Sequence, residues 1–203
     1  MKKNTKLLKL DPEKPDIALI KQTALLIKKG ALVVFPTDTV YGLGTNAFNK
    51  KAIREIYRIK KRPLNKPVIF LIGRKSDVRD LADSVPKAAR KLIKAFWPGP
   101  LTLILKSGTS TLGVRMPKNR IALGLIRYSG VPVATTSANI SGAKSSLTAD
   151  FGSHGLRGKV DVIIDGGKAK LGVESTIVDV TVDPPRILRQ GYITKNSIKK
   201  ELR

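Results

Sequence analysis

The chain reads as blocks of apolar residues, spaced either for helices or for strands, separated by short polar stretches. Residues 18–30, ALIKQTALLIKKG, have helical spacing and stop at Gly30. The run ALVVF (31–35) is uninterrupted and short, as expected for a buried strand. Asn49 is placed to cap a helix through KKAIREIYRIK, with Ala52, Ile56 and Ile59 on one side. KPVIFLIG (66–73) reads as a strand. Ser84 and Pro86 then open a helix whose apolar stripe is Ala89, Leu92, Ile93 and Phe96. WPGP ends that helix, and LTLIL is the next strand. VPVAT (131–135), VDVIID (160–165), STIVDV (175–180) and RILR (186–189) are further strands, and ITKNSIKKELR is a terminal helix. About seven strands and four or five helices alternate without repeats or low-complexity linkers. This predicts an α/β fold: a twisted mixed sheet, parallel and antiparallel, flanked by helices. Residues 1–203 are expected to form one domain.

Composition narrows the possible functions. No apolar run approaches the ~18 residues a membrane helix needs, and MKKNTKLLKLDPEK lacks the apolar core of a secretory signal. With no cysteine and one histidine, His154, disulfides, thiolate metal sites and a His-rich zinc site are excluded. A cytoplasmic protein is expected, with no membrane partner. Thirty-nine Lys+Arg against 15 Asp+Glu give a net charge of +24. Such a field attracts polyanions: RNA, DNA, nucleotides or anionic lipid. Lys87, Arg90, Lys91 and Lys94 form a basic face on the third helix, either a solvated surface or part of a nucleic-acid surface.

Polar clusters follow the predicted strands, where a rigid sheet usually presents binding groups. In FPTDTVYGLG (35–44), Thr37 and Thr39 offer hydroxyls and the glycines permit close backbone approach. In KKRPLNKP (60–67), Lys60, Lys61, Arg62 and Lys66 crowd around two prolines, a set suited to phosphate or to a plain basic loop. TTSANISG (135–142) packs Thr135, Thr136, Ser137, Asn139 and Ser141 together, more donors and acceptors than helix capping needs. GVESTIVDV (172–180) contributes Glu174, Ser175 and Thr176. GVRMP contributes Arg115, and ILRQG contributes Arg189 at a strand end.

Taken in order, FPTDTVYGLG, KKRP…KP, WPGPLTLIL, VRMP, TTSANISG, GVESTIVD and ILRQG resemble the YrdC-like threonylcarbamoyl-AMP synthases, over about residues 17–191. Each segment is modest alone, but seven in order are specific. The length matches the single-domain form, without the second domain of long members. The resemblance implies a YrdC-like fold around a deep, positively charged cavity. It also implies a nucleotidyltransferase that makes threonylcarbamoyl-AMP and pyrophosphate from L-threonine, bicarbonate and ATP, with Mg2+ accompanying the nucleotide. The product feeds t6A modification of tRNA, so proteins of the t6A transfer machinery are implied partners. Some relatives bind tRNA or double-stranded RNA, and RNA binding without catalysis is the alternative.

By position, the resemblance assigns Lys60, Arg62, Ser137 and Asn139 to a catalytic signature around the phosphates. Thr39, Arg115, Thr135 and Ser175 fall at threonine-site positions, with Arg115 pairing the carboxylate. Arg62, Lys66, Thr111, Ser137, Ser145 and Arg189 fall at nucleotide-site positions, and Tyr41 becomes part of the cavity wall. Leu71 stands where some members carry histidine, and Lys66 where some carry asparagine. The chemistry needs no protein nucleophile. A carbamate anion must attack the α-phosphate while pyrophosphate leaves, so orientation and charge neutralisation carry the reaction. Asp38 and Glu174 are left with open roles: metal ligand, base or charge balance.

Overall fold

The computed structural model describes residues 3–139, 145–150 and 155–203. Ser141 and His154 lie outside them. In chain order the elements are β1 (Lys6–Lys9), α1 (Ile17–Lys28), β2 (Val33–Phe35), β3 (Gly42–Asn46), α2 (Lys50–Lys60), β4 (Ile69–Leu71), a 3-10 turn (Lys75–Asp80), α3 (Lys87–Phe96), β5 (Leu101–Ser107), β6 (Ser110–Arg115), α4 (Arg120–Ser129), β7 (Val133–Ser137), β8 (Val162–Asp165), β9 (Thr176–Asp179), β10 (Arg186–Arg189) and α5 (Lys195–Leu202). The ten strands form one mixed sheet in the order β1-β8-β2-β3-β7-β4-β6-β5-β9-β10. β1–β8, β8–β2, β4–β6 and β5–β9 are parallel pairs, and the other neighbours are antiparallel.

The expected mixed α/β sheet is present, with more strands than the hydrophobic pattern indicates. β1, β3 and β6 and helix α4 escape that pattern, β3 and α4 because their glycines answer to distant neighbours. β3 reads GLGTN: a Cβ at Gly42 or Gly44 would stand 2.9 Å from Thr135 side-chain atoms, so glycine is what lets β3 lie against β7. Helix α4, RIALGLIRYS, is interrupted by Gly124, which lets Ile20 of α1 approach to 2.9 Å of where a Cβ would sit. β4 is shorter than the predicted 66–73. The carbonyls of Lys66 and Pro67 accept from Arg62 Nε (2.8 Å) and Nη2 (2.9 Å), which diverts this stretch from the sheet.

Caps explain the other boundaries. Asp16 Oδ1 accepts from the Ala18 and Leu19 amides at the start of α1, Asn49 Oδ1 from Ala52, and Thr194 Oγ1 from Ser197. Gly30 sits at φ +94° just past α1, as its sequence position suggests.

Strand alternation sends successive residues to opposite faces. Val33 and Phe35 of β2, with Val162 and Ile164 of β8, pack on Ile20 and Ile27 of α1 and on Ile121, Ala122 and Leu125 of α4. Val34 and Ile163 face the other way, toward Ile56 and Ile59 of α2. A separate core joins α3 and α5 to β5, β6 and β9 through Leu92, Ile198, Leu103, Val114 and Val178. Helices thus cover both faces, and the polar strand ends between these cores are left to form a hollow.

Candidate active site

The hollow is about 200 Å³ and is lined by Thr37, Thr39 and Tyr41 from the β2–β3 connection, Gly42 of β3, Arg62 and Pro67 from the basic loop, Ile69 and Leu71 of β4, Arg115 of β6, Thr135–Ser137 of β7, Glu174 and Ser175 before β9, Ile177 of β9, and Arg189 of β10. Sheet register brings these together. Ile69 pairs with Thr135, Leu71 with Arg115, and Gly42 with Ser137, so their side chains share a face. Ala134 and Phe70 turn to the opposite face, where they pack with Ile53 and Tyr57 of α2.

Arg189 reaches the same face through a register shift. Ile187 pairs with Val178 but Arg189 pairs with Ile177, so Leu188 is an extra residue in β10. Such a bulge reverses the face presented by everything beyond it. Arg189 thereby lies beside Ile177, in the cavity wall.

Arg115 is buried and held on three sides. Its Nε donates to Gly99 O (3.0 Å), Nη1 to Thr39 Oγ1 (2.9 Å) and Nη2 to Asp38 Oδ1 (2.6 Å). Burial lowers its pKa, and the adjacent Asp38 carboxylate works to keep it charged. Thr39 is fixed in turn by Thr37, whose Oγ1 lies 3.0 Å away and donates to Val40 O.

Elsewhere in the lining, Arg189 donates through Nε (3.1 Å) and Nη2 (2.8 Å) to Ser175 O, and pairs with Glu174 through Nη1. Glu174 also accepts from Ser145 Oγ (2.7 Å). Ser175 Oγ lies 2.9 Å from Thr102 Oγ1. Gly191 lies against this segment so closely that a Cβ would stand 2.1 Å from Glu174 O.

Lys60 is almost fully buried at the end of α2, and its Nζ donates to Ser137 O, tying the basic loop to the end of β7. Burial, and secondarily the charge of Arg62, push its pKa down to about 7, with Glu174 acting in the opposite direction. Tyr41 donates its hydroxyl to Gly167 O (2.6 Å) and accepts from Gly166 N (3.1 Å); burial pushes its pKa up to about 12.

The residue set expected from sequence divides clearly. Thr39, Arg62, Arg115, Thr135, Ser137, Ser175 and Arg189 line one hollow. Lys60, Asn139 and Ser145 do not line it: Lys60 is bonded to Ser137 O and Ser145 to Glu174, and Asn139 is buried two positions past Ser137. Lys66 is exposed on the loop and does not line the hollow, although its carbonyl anchors Arg62. Thr111 is exposed, paired with Lys106 near the start of β6, four residues before Arg115. The cavity therefore gathers every assigned threonine-site residue, and only part of the nucleotide set.

The Sua5_yciO_yrdC family model, described as "Telomere recombination", matches residues 25–191. The chain belongs to this family. It is 44% identical over 191 residues to a threonylcarbamoyl-AMP synthase of Bacillus subtilis, covering 89% of this chain and 55% of that protein. It superposes with a TM-score of 0.94 at 41% identity on Pyrococcus abyssi Sua5 complexed with L-threonine, covering 98% of this chain and 61% of that one. Escherichia coli YciO superposes with a TM-score of 0.87 at 29% identity, covering 96% and 99% respectively. The chain thus spans a little over half the length of the Bacillus subtilis synthase.

The sequence left the roles of Asp38 and Glu174 open between metal ligand, base and charge balance. The structure makes each the acid partner of a cavity arginine. In FPTDT, an acid between two threonines at a strand end is the only local signal of this. Gly99 and Thr102, in the WPGPLT stretch, carry no signal of their contacts with Arg115 and Ser175.

Proposed function

We propose that this chain is a nucleotidyltransferase that forms threonylcarbamoyl-AMP and pyrophosphate from L-threonine, bicarbonate and ATP, supplying t6A modification of tRNA. The observation that carries this reading is the convergence of Thr39, Arg115, Thr135 and Ser175 with Arg62, Ser137 and Arg189 on a single cavity. Membership of the family and the synthase relatives support it. A volume of about 200 Å³ is below the ~300–1,000 Å³ of most ligand pockets. The enclosed part therefore suits an amino acid, and the nucleotide would extend over the mouth toward Arg62 and Arg189.

In this reading Arg115 takes the threonine carboxylate, and Thr39, Thr135 and Ser175 surround the rest of the amino acid. Threonine's amine and bicarbonate give a carbamate with loss of water. The carbamate oxygen attacks the α-phosphorus of ATP and pyrophosphate departs. Arg62, Ser137 and Arg189 orient the phosphates and offset the charge that builds on them. Lys60 adds its charge from beside Ser137 as the anion arrives, and Asn139 and Ser145 support the same wall.

In this reading Mg2+ would enter the site as a companion of ATP, held chiefly by the nucleotide's phosphates. Among the described residues no group of three or more His, Asp or Glu is placed to hold a metal, and Asp38 and Glu174 are committed to arginines. Mg2+ commonly relies on substrate phosphates and few protein ligands, and there it neutralises phosphate charge.

Among the described residues no helix is long and apolar enough to cross a membrane. A cytoplasmic location and exchange with the t6A transfer proteins, and with tRNA, go with the proposed activity. The basic residues Lys87, Arg90 and Lys94 of α3 are exposed, as either a solvated face or an RNA surface requires. RNA binding alone is the weaker reading, because it leaves the polar cavity without a purpose. An assay of AMP-adduct formation, omitting threonine, bicarbonate, ATP and Mg2+ in turn, tests the proposal. Loss of product in every omission is expected, and product formed without threonine overturns it.

A further inference from the structure

We propose that Asp38 is a positioning residue for amino-acid recognition, acting through Arg115 to set the preference for a ligand with a free carboxylate. The inference rests on the functional reading above and gives a role to a residue that reading leaves unused.

Asp38 is 5% exposed and does not line the cavity, so it is placed to act through its neighbours. Its Oδ1 accepts both from Arg115 Nη2 (2.6 Å) and from the Lys118 backbone amide (3.0 Å). The second bond anchors the carboxylate to the chain just before Asn119, the N-cap of α4. The guanidinium is thereby held between Asp38 and Thr39 Oγ1 of the β2–β3 connection and Gly99 O of the α3–β5 connection. Three of its N–H groups are used in this way, and the remainder are available to the cavity it lines.

The other oxygen, Asp38 Oδ2, is buried with no hydrogen-bond partner. Leaving a buried carboxylate oxygen unpaired costs stability. A core serving stability alone would be better with an apolar pair here. What the arrangement provides is a charged, immobile arginine whose free edge is fixed in direction. That is what selective binding of a planar carboxylate requires.

The test compares L-threonine with L-threoninamide, which lacks the carboxylate charge, by calorimetric titration into the purified chain and its Asp38→Asn variant. The unaltered chain is expected to favour threonine. In Asp38→Asn, threonine affinity is expected to fall about 10- to 100-fold, with threoninamide affinity changed less than about twofold. Equal loss for both ligands means a merely structural role, and no loss for either means no role. Both results overturn the inference.

Should Asp38→Asn not fold, Arg115→Gln is compared with Arg115→Gln/Asp38→Asn, which buries neither charge. Equal threonine affinity in the two supports action through Arg115, and a further fall in the double variant overturns it. An unaltered chain that binds no threonine overturns the functional reading and this inference together. Binding with an unchanged threonine-to-threoninamide ratio in the variant overturns this inference alone.

Discussion

Of the three arginines that line the cavity, Arg115 and Arg189 each stand at the end of a strand and each pair with an acid, yet they are held very differently. Arg115 and Asp38 have side chains 5% and 6% exposed, whereas those of Arg189 and Glu174 are 41% and 35% exposed. In the first pair water cannot substitute for a lost partner, so removing one member strands a charge. In the second, solvent screens the attraction and replaces either partner. Under the proposed function, the buried pair would be a fixed fitting for one ligand group, and the exposed pair an exchangeable contact in which Glu174 would yield Arg189 to a phosphate.

That contrast can be broken by experiment. Asp38→Ala leaves Arg115 buried without its counter-ion and is expected to destabilise the fold by about 3–5 kcal/mol in chemical denaturation. A loss below ~1 kcal/mol would show that water reaches this pair after all.

The next largest effect is expected at Lys60. Its folded pKa of about 7 lies below the ordinary lysine value of 10.5. Between these pH values the unfolded chain binds more protons, so stability rises as pH goes from about 7 to 10.5. Below about pH 7 the full cost of burying the ammonium is present. Lys60→Met should flatten this segment of a stability-versus-pH curve, and an unaltered slope would contradict the burial argument. Under the proposed function, phosphate bound near Lys60 would favour its charged form, so ATP affinity of the unaltered chain should weaken as pH rises above about 7.

Gly191→Ala places a methyl 2.1 Å from Glu174 O and is expected to cost about 1–3 kcal/mol by forcing the segment before β9 away from the one after β10. The melting temperature checks this, alongside the ATP KM, which should rise. The smallest change belongs to Glu174→Gln. Stability should move by less than ~1 kcal/mol, and the KM for ATP should fall up to about fivefold as Arg189 is released. A rise in that KM would mean that Glu174 assists the nucleotide instead of competing with it. Added salt should shrink this difference and leave the Asp38 effect largely intact.

The sequence by itself determined the mixed α/β class, most of the helices, and the polar clusters at strand ends. Apolar periodicity and caps such as Asn49 and Thr194 are local properties, and they were satisfied locally. The family motifs also marked Thr39, Arg115, Thr135, Ser175, Arg62, Ser137 and Arg189, which share the cavity. The glycine-rich strand β3 and helix α4 were not legible, because Gly42, Gly44 and Gly124 are dictated by Thr135 and Ile20, distant in sequence. Pairing of Arg115 with Asp38, and the bulge at Leu188 that turns Arg189 inward, were decided only by tertiary structure. The physical reason is that both depend on register between strands far apart in the chain. A one-residue slip there reverses which side chains meet, and no local propensity records it.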